Sequence, residues 1–146
     1  MFEVTVQAAD FDTGAELARV GAFDGGAVAS FVGLVRRGGE GVQAMTLEHY
    51  PAMTEKAIAE IVEQARARWP LHAVRVIHRI GRLLPGEQIV LVAVAADHRG
   101  EAFAACEFIM DWLKTRAPFW KKEETAQGSR WVDARESDDT AASRWN

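Results

Sequence analysis

Apolar and polar residues alternate over residues 3–8, EVTVQA, which predicts a short strand. Asp12 stands where an N-cap belongs for a helix over TGAELARV, and FDGG at 23–26 marks a turn. AVASFVGLVRR then alternates apolar and small residues long enough for a strand that ends at Arg36 or Arg37. GGEG at 38–41 reads as a short mobile connector, and VQAMTLEHY as the next strand, so the two strands are expected to form a hairpin. Pro51 falls where the first residue of a helix tolerates its missing N–H. Apolar residues at 53, 57, 58, 61, 62, 65 and 69 follow at helical spacing, until Pro70 ends the run.

Residues 73–83, AVRVIHRIGRL, predict one strand and Pro85-Gly86 a tight turn. EQIVLVAVAAD has a nearly continuous apolar centre, the pattern of a strand buried on both faces. A second long helix is expected from Gly100 to Arg116, its dry stripe made of Ala102, Phe103, Cys106, Ile109, Met110 and Leu113. Pro118 stops it, and FWKKEETAQGSRWVDAR predicts a hairpin turning at Gln127-Gly128. The predicted class is α+β: a single domain over 1–136 with mostly antiparallel pairing and two long helices, followed by a partly ordered polar tail over 137–146.

Composition narrows the function classes. The 146 residues suffice for one domain with a real core, and 49% hydrophobic with 26% charged residues is ordinary for a globular chain. A net charge of −4 argues against a dedicated nucleic-acid binder. One cysteine, Cys106, excludes an internal disulfide or CxxC pair, and the four scattered histidines show no metal-ligand spacing. The acidic N-terminus is unlike a signal peptide, and no apolar run approaches the roughly 20 residues that span a bilayer. These features together predict a soluble, cytoplasmic protein without a metal or other resident cofactor.

Cationic residues gather at element ends in three places: Arg36-Arg37, His98-Arg99, and Lys114, Arg116, Lys121 and Lys122 around Pro118. Unpaired N–H groups and the dipole make strand-to-helix junctions good anion sites, and arginine adds a planar donor fork. Convergence of the three would make a compact site for a small phosphorylated ligand. Taken separately, each also reads as ordinary solvated charge, and Lys114 is favoured by the helix dipole in any case. Cys106 falls on the dry stripe, where cysteine behaves as a small hydrophobe. His49 shares a face with Met45 and Leu47 and reads as a core or interface histidine. Trp112, Phe119, Trp120 and Trp131 near the lysines suit either hydrophobic packing or a wall for a flat heterocycle.

Several strings go further. FVGLVR at 31–36, LEHYPAMTEKA at 47–57, HRIGRLLPGE at 78–87, ADHRGEAF at 96–103 and FIMDWLKTRAPFWKKE at 108–123 resemble, in order, the molybdopterin synthase large-subunit (MoaE) family. The resemblance spans about residues 26–136, and KTRAPFWK is its most specific part. It implies a hammerhead-type α+β fold with a small added β subdomain, and a homodimer within a heterotetramer. The implied partner is a small ubiquitin-like sulfur carrier whose C-terminal Gly-Gly ends in a thiocarboxylate. The implied activity is that of a sulfurtransferase in molybdenum cofactor biosynthesis: two sulfurs pass to cyclic pyranopterin monophosphate, which explains the lack of need for a catalytic cysteine. By resemblance, Lys114 and Lys121 are the catalytic pocket lysines, and Arg36, His98, Arg99, Lys122 and Glu123 bind substrate. Two rival readings remain. One is a scaffold that docks the carrier tail without turnover, which has no need of Lys114, Lys121 and Arg36. The other is an RNA-binding domain around Trp120, which the acidic net charge disfavours.

Overall fold

A computed structural model describes residues 1–37, 41–132 and 136–146, without the side chains of 136–138. The chain runs β1 (Phe2–Gln7), α1 (Thr13–Val20), β2 (Ala27–Leu34), β3 (Val42–His49), α2 (Met53–Arg68), β4 (Leu71–Arg79), β5 (Gly81–Leu83), β6 (Gln88–Ala96), α3 (Arg99–Arg116), β7 (Phe119–Thr125), β8 (Gly128–Val132) and α4 (Glu136–Ser143). The strands make two four-stranded sheets, ordered β1-β4-β6-β2 and β5-β3-β7-β8. Pairing is antiparallel except between β1 and β4, so the predicted α+β, mostly antiparallel class stands.

The first sheet is covered on both faces, which is why β6 reads as a continuous apolar run. Val90 through Ala96 are all 4% exposed or less. On one face Val74, Val76, Val92 and Val94 pack under α2 and α3, whose Ile58, Ile61, Ala105, Phe108 and Ile109 close the main core. On the other, Ala73, Ile77, Leu91 and Ala93 meet Val20 of α1. Asp12 caps α1 as expected, its carboxylate accepting from the Ala15 N–H at 3.0 Å.

Three expectations are corrected. β2 and β3 form no hairpin: β2 pairs with β6, while β3 lies between β5 and β7 in the second sheet. The chain leaves the first sheet after Leu34, where Val35 donates to the Glu87 carbonyl at 2.9 Å and accepts from the Gly86 N–H at 2.8 Å. The strand predicted over 73–83 is two strands in different sheets: β4 ends at Arg79, and after Ile80 the chain turns through Gly81, at φ 89°, which opens β5 beside Leu47. Pro51 is not the first residue of α2: it lies in the preceding turn, and Ala52, at φ 68°, is the N-cap. Within the polar C-terminal segment the chain forms a helix, α4.

The docking of α4 explains how so polar a segment is held. Ala142 is 2% exposed. Arg144 pairs with Glu107 and, at 2.8 Å, with Asp111. The Trp145 indole N–H donates to Asp111 at 2.6 Å, and its ring meets Phe108 and Trp69 edge-on at 5.5 and 5.8 Å. The connector expected over 38–41 lies, apart from Gly41, outside the described residues. Phe103 is also not on the dry stripe of α3, being 65% exposed; Ala105 and Phe108 take part instead.

Candidate active site

The ends of β2, β4, β6 and α3 meet around a cavity of about 380 Å³. The register forces this meeting, since Gly33 of β2 lies beside Val90 of β6, and Val90 beside His78 of β4. Phe31, Ile89, Met110 and Leu113 provide apolar wall, while Arg36, His78 and Lys114 provide the charged and polar groups. Gly33 leaves the space open: a Cβ there would stand 2.7 Å from a Val90 methyl and 3.3 Å from the Phe31 ring. Arg36 follows the anchored Val35, and Lys114 projects from the last turn of α3, where the helix dipole favours a cation.

Pro118 ends α3 and turns the chain into β7, whose alternation sorts its side chains onto two faces. Phe119, Lys121 and Glu123 register with His49, Leu47 and Met45 of β3, on the inner face. Phe119 stacks on His78 at 3.8 Å, which joins this inner face to the cavity. Lys121 sits 3.7 Å from Glu123, a carboxylate that is 8% exposed and also meets Arg130 at 3.3 Å. Lys122 points the other way, 5.4 Å over the ring of Trp131.

The structure therefore brings Arg36 and Lys114 to one cavity, and sets Lys121 and Glu123 on the inner face that Phe119 joins to it. It separates the rest. His98 is the N-cap of α3 and Arg99 its first residue, both exposed. Lys114 is near the other end, roughly 24 Å away at the rise of an α-helix. Lys122 faces outward for the same reason that Lys121 faces inward. The aromatic wall also divides. Trp112 packs against Phe108 and Arg116, Trp120 meets Tyr50 at 4.4 Å on the exposed side, and Phe119 alone of the four stacks on a cavity residue.

His78 went unassigned by sequence reasoning, although it opens the HRIGR string. Its Nδ1–H donates to the Arg79 carbonyl at 2.9 Å. Burial above all pushes its pKa down to about 4; the hydrogen bond to Arg79 works against this, and the nearby Lys114 and His49 add to the fall. A half-buried histidine in a strand has no signal of its own; only the strand register reveals it as a cavity wall. Cys106 is 6% exposed, and burial, helped by Glu107, pushes its thiol up to about 12, in keeping with a core role. Among the described residues no helix is long and apolar enough to cross a membrane.

Comparison with known proteins agrees with this fold. The family model described as MoaE protein matches residues 6–116. The molybdopterin synthase catalytic subunit of Ralstonia nicotianae is 64% identical over 146 residues, covering 97% of this chain and 83% of that protein. The solved molybdopterin biosynthesis MoaE protein from Burkholderia ambifaria superposes with a TM-score of 0.86 at 56% identity, covering 99% of this chain and 98% of the other. A chain from the complex of subunits 1 and 2 of the molybdopterin-converting factor of Helicobacter pylori shares the fold, with a TM-score of 0.74 at 22% identity and coverage of 92% and 91%.

Proposed function

The chain belongs to the MoaE family, of enzyme subunits in molybdenum cofactor biosynthesis, and on that premise we propose that it carries out the sulfur transfer that makes molybdopterin. In this reading a small carrier subunit threads its C-terminal thiocarboxylate into the cavity beside Lys114. The thiocarboxylate sulfur bonds to a side-chain carbon of cyclic pyranopterin monophosphate as a carbon–oxygen bond at that carbon breaks and its oxygen departs. Water then cleaves the acyl–sulfur bond, leaving the carrier as a carboxylate and the sulfur on the pterin. A second charged carrier repeats the step to complete the dithiolene.

The observation that carries the proposal is the pairing of Arg36 and Lys114 across one cavity with an apolar wall. Its volume of about 380 Å³ falls within the range for small-molecule sites. Two anions, a phosphate and a thiocarboxylate, have to be brought together, and the cations offset their repulsion. Fixed positive charge in a partly dry site also stabilises the oxyanion that develops as water attacks the acyl carbon. Lys114 orients the thiocarboxylate or passes a proton, Lys121 stabilises the tetrahedral adduct or leaving oxygen, and Arg36 holds the phosphate. Glu123 holds Lys121 in place from the same face.

His98 and Arg99 lie too far from Lys114 to serve the same site in one chain. They take part if the second copy of the homodimer supplies them, and Lys122 is subject to the same condition. The test is dithiolene formation from thiocarboxylated carrier and cyclic pyranopterin monophosphate. Lys114→Ala and Lys121→Ala should each lower turnover by about a hundredfold or more, the scale of a lost transition-state contact. Wild-type turnover in both would remove the assigned roles. No product from a folded, carrier-bound wild type would favour a docking scaffold instead.

A further inference from the structure

We infer that His78 is a positioning residue for Lys114, presenting the lone pair of its Nε2 atom as the acceptor that keeps the ammonium group aimed into the cavity. The inference rests on the sulfur-transfer reading of that cavity and adds a residue to it. His78 and Lys114 line the same space, from β4 and from α3. Two contacts set the ring. Its flat side is stacked on Phe119 at 3.8 Å and 20° between planes, and its Nδ1 is bonded to the Arg79 carbonyl at 2.9 Å.

A carbonyl oxygen only accepts, so Nδ1 holds the proton and the neutral ring is left with an acceptor at Nε2. The other side chains lining the cavity are apolar or cationic donors, so His78 is the side-chain acceptor among the described residues of that lining. A cationic ring would repel Lys114 instead of holding it. Burial, helped by the nearby Lys114 and His49, prevents that by keeping the pKa at about 4. The groups around the ring fit this role. Lys114 of α3 and His49 of β3 lie close enough to act on it electrostatically, and Glu55 of α2 stands 3.9 Å from His49. Arg36 lines the same cavity beyond β2, and β7 adds the Phe119 ring, with Lys121 on that same face. The imidazole is thus a fixed neutral acceptor among cations, suited to ordering a flexible lysine.

The experiment compares His78→Phe, which keeps a flat ring for Phe119 and removes the acceptor, with His78→Gln, which returns a carbonyl oxygen near the place of Nε2. Dithiolene formation is measured with thiocarboxylated carrier and cyclic pyranopterin monophosphate. The expected result is a fall in kcat of about tenfold or more for His78→Phe with KM little changed, and recovery of most of it in His78→Gln. A merely structural role would move both variants together with their unfolding midpoints. Independently of activity, 15N shifts of wild-type His78 near neutral pH should report a neutral ring protonated at Nδ1. A folded His78→Phe with wild-type kcat would overturn the inference, as would a doubly protonated ring. Failure of wild type itself to make product would instead count against the sulfur-transfer reading.

Discussion

Stability below neutral pH should depend on His78. The unfolded histidine titrates near its ordinary value of 6.5, whereas the folded one titrates at about 4. Above 6.5 neither state binds the proton, and the contribution of the neutral ring is fully present. As pH falls from 6.5 toward 4, the unfolded chain takes up a proton that the folded chain refuses, so stability declines. Below that window both states are protonated and the loss is complete. At 1.36 kcal/mol per unit the whole effect is about 3 kcal/mol, of which about 1.4 kcal/mol is lost by about pH 5.5. That is a sizeable part of the ~5–15 kcal/mol that typically holds a domain folded.

The perturbation is His78→Phe, which keeps the stack on Phe119 and cannot titrate. Urea unfolding is followed at intervals from about pH 7.5 to 4, and the variant's stability is subtracted from wild type at each pH. Asp10 and Asp97 also lose stabilising interactions in acid. The Gln88 side-chain hydrogen bond holds the first carboxyl below its usual range, and the His72 hydrogen bond holds the second. Both proteins share these losses, so the subtraction removes them. The difference should change by about 3 kcal/mol in favour of the variant as pH falls through the window. Parallel curves would refute the reasoning, because they would mean that folding does not depress the His78 pKa.

Three further outcomes are expected. Gly33→Ala should destabilise the fold by about 1–3 kcal/mol and raise KM, because its new methyl has to displace the buried, stiff Val90 or push Phe31 into the cavity; urea melts and steady-state rates read both. Trp145→Ala should cost about 2–4 kcal/mol in urea unfolding, since the half-buried indole gives up its ring contacts with Phe108 and Trp69 and its bond to Asp111. A loss under about 0.5 kcal/mol would mean that α4 is undocked in solution. Mixing Lys114→Ala with Arg99→Ala protein, after subunit exchange, should recover roughly a quarter of wild-type turnover if each site draws its arginine from the second copy of a two-fold dimer. No recovery would place both residues in the service of one chain.

Much of this protein was legible in its sequence because local rules govern local structure. Asp12 as a cap, the helical periodicity after residue 53, the doubly buried β6 and the Pro118 stop all depend on near neighbours, and all were found as read. The family was legible too, from strings such as KTRAPFWK, whose order of residues is far more specific than any periodicity. The alternation of β7 carried more than it first showed, since it already places Lys121 and Lys122 on opposite faces.

What the tertiary structure decided was pairing and convergence. Nothing in residues 27–49 says that β2 prefers the distant β6 to its neighbour β3; the preference arises from burying both faces of β6, a gain shared across the whole sheet. The same holds for α4, whose polar sequence is held by Asp111 and by an aromatic cluster contributed by α2 and α3. His78 became a cavity residue only once the register set it beside Val90 and Lys114. In the other direction, the length of α3 set His98 and Arg99 apart from the lysine with which sequence had grouped them. Composition and periodicity determine which segments are strands and helices and which residues carry charge. Which charges share one cavity depends on contacts between residues far apart in the chain, and those exist only after the two sheets and α3 have packed together.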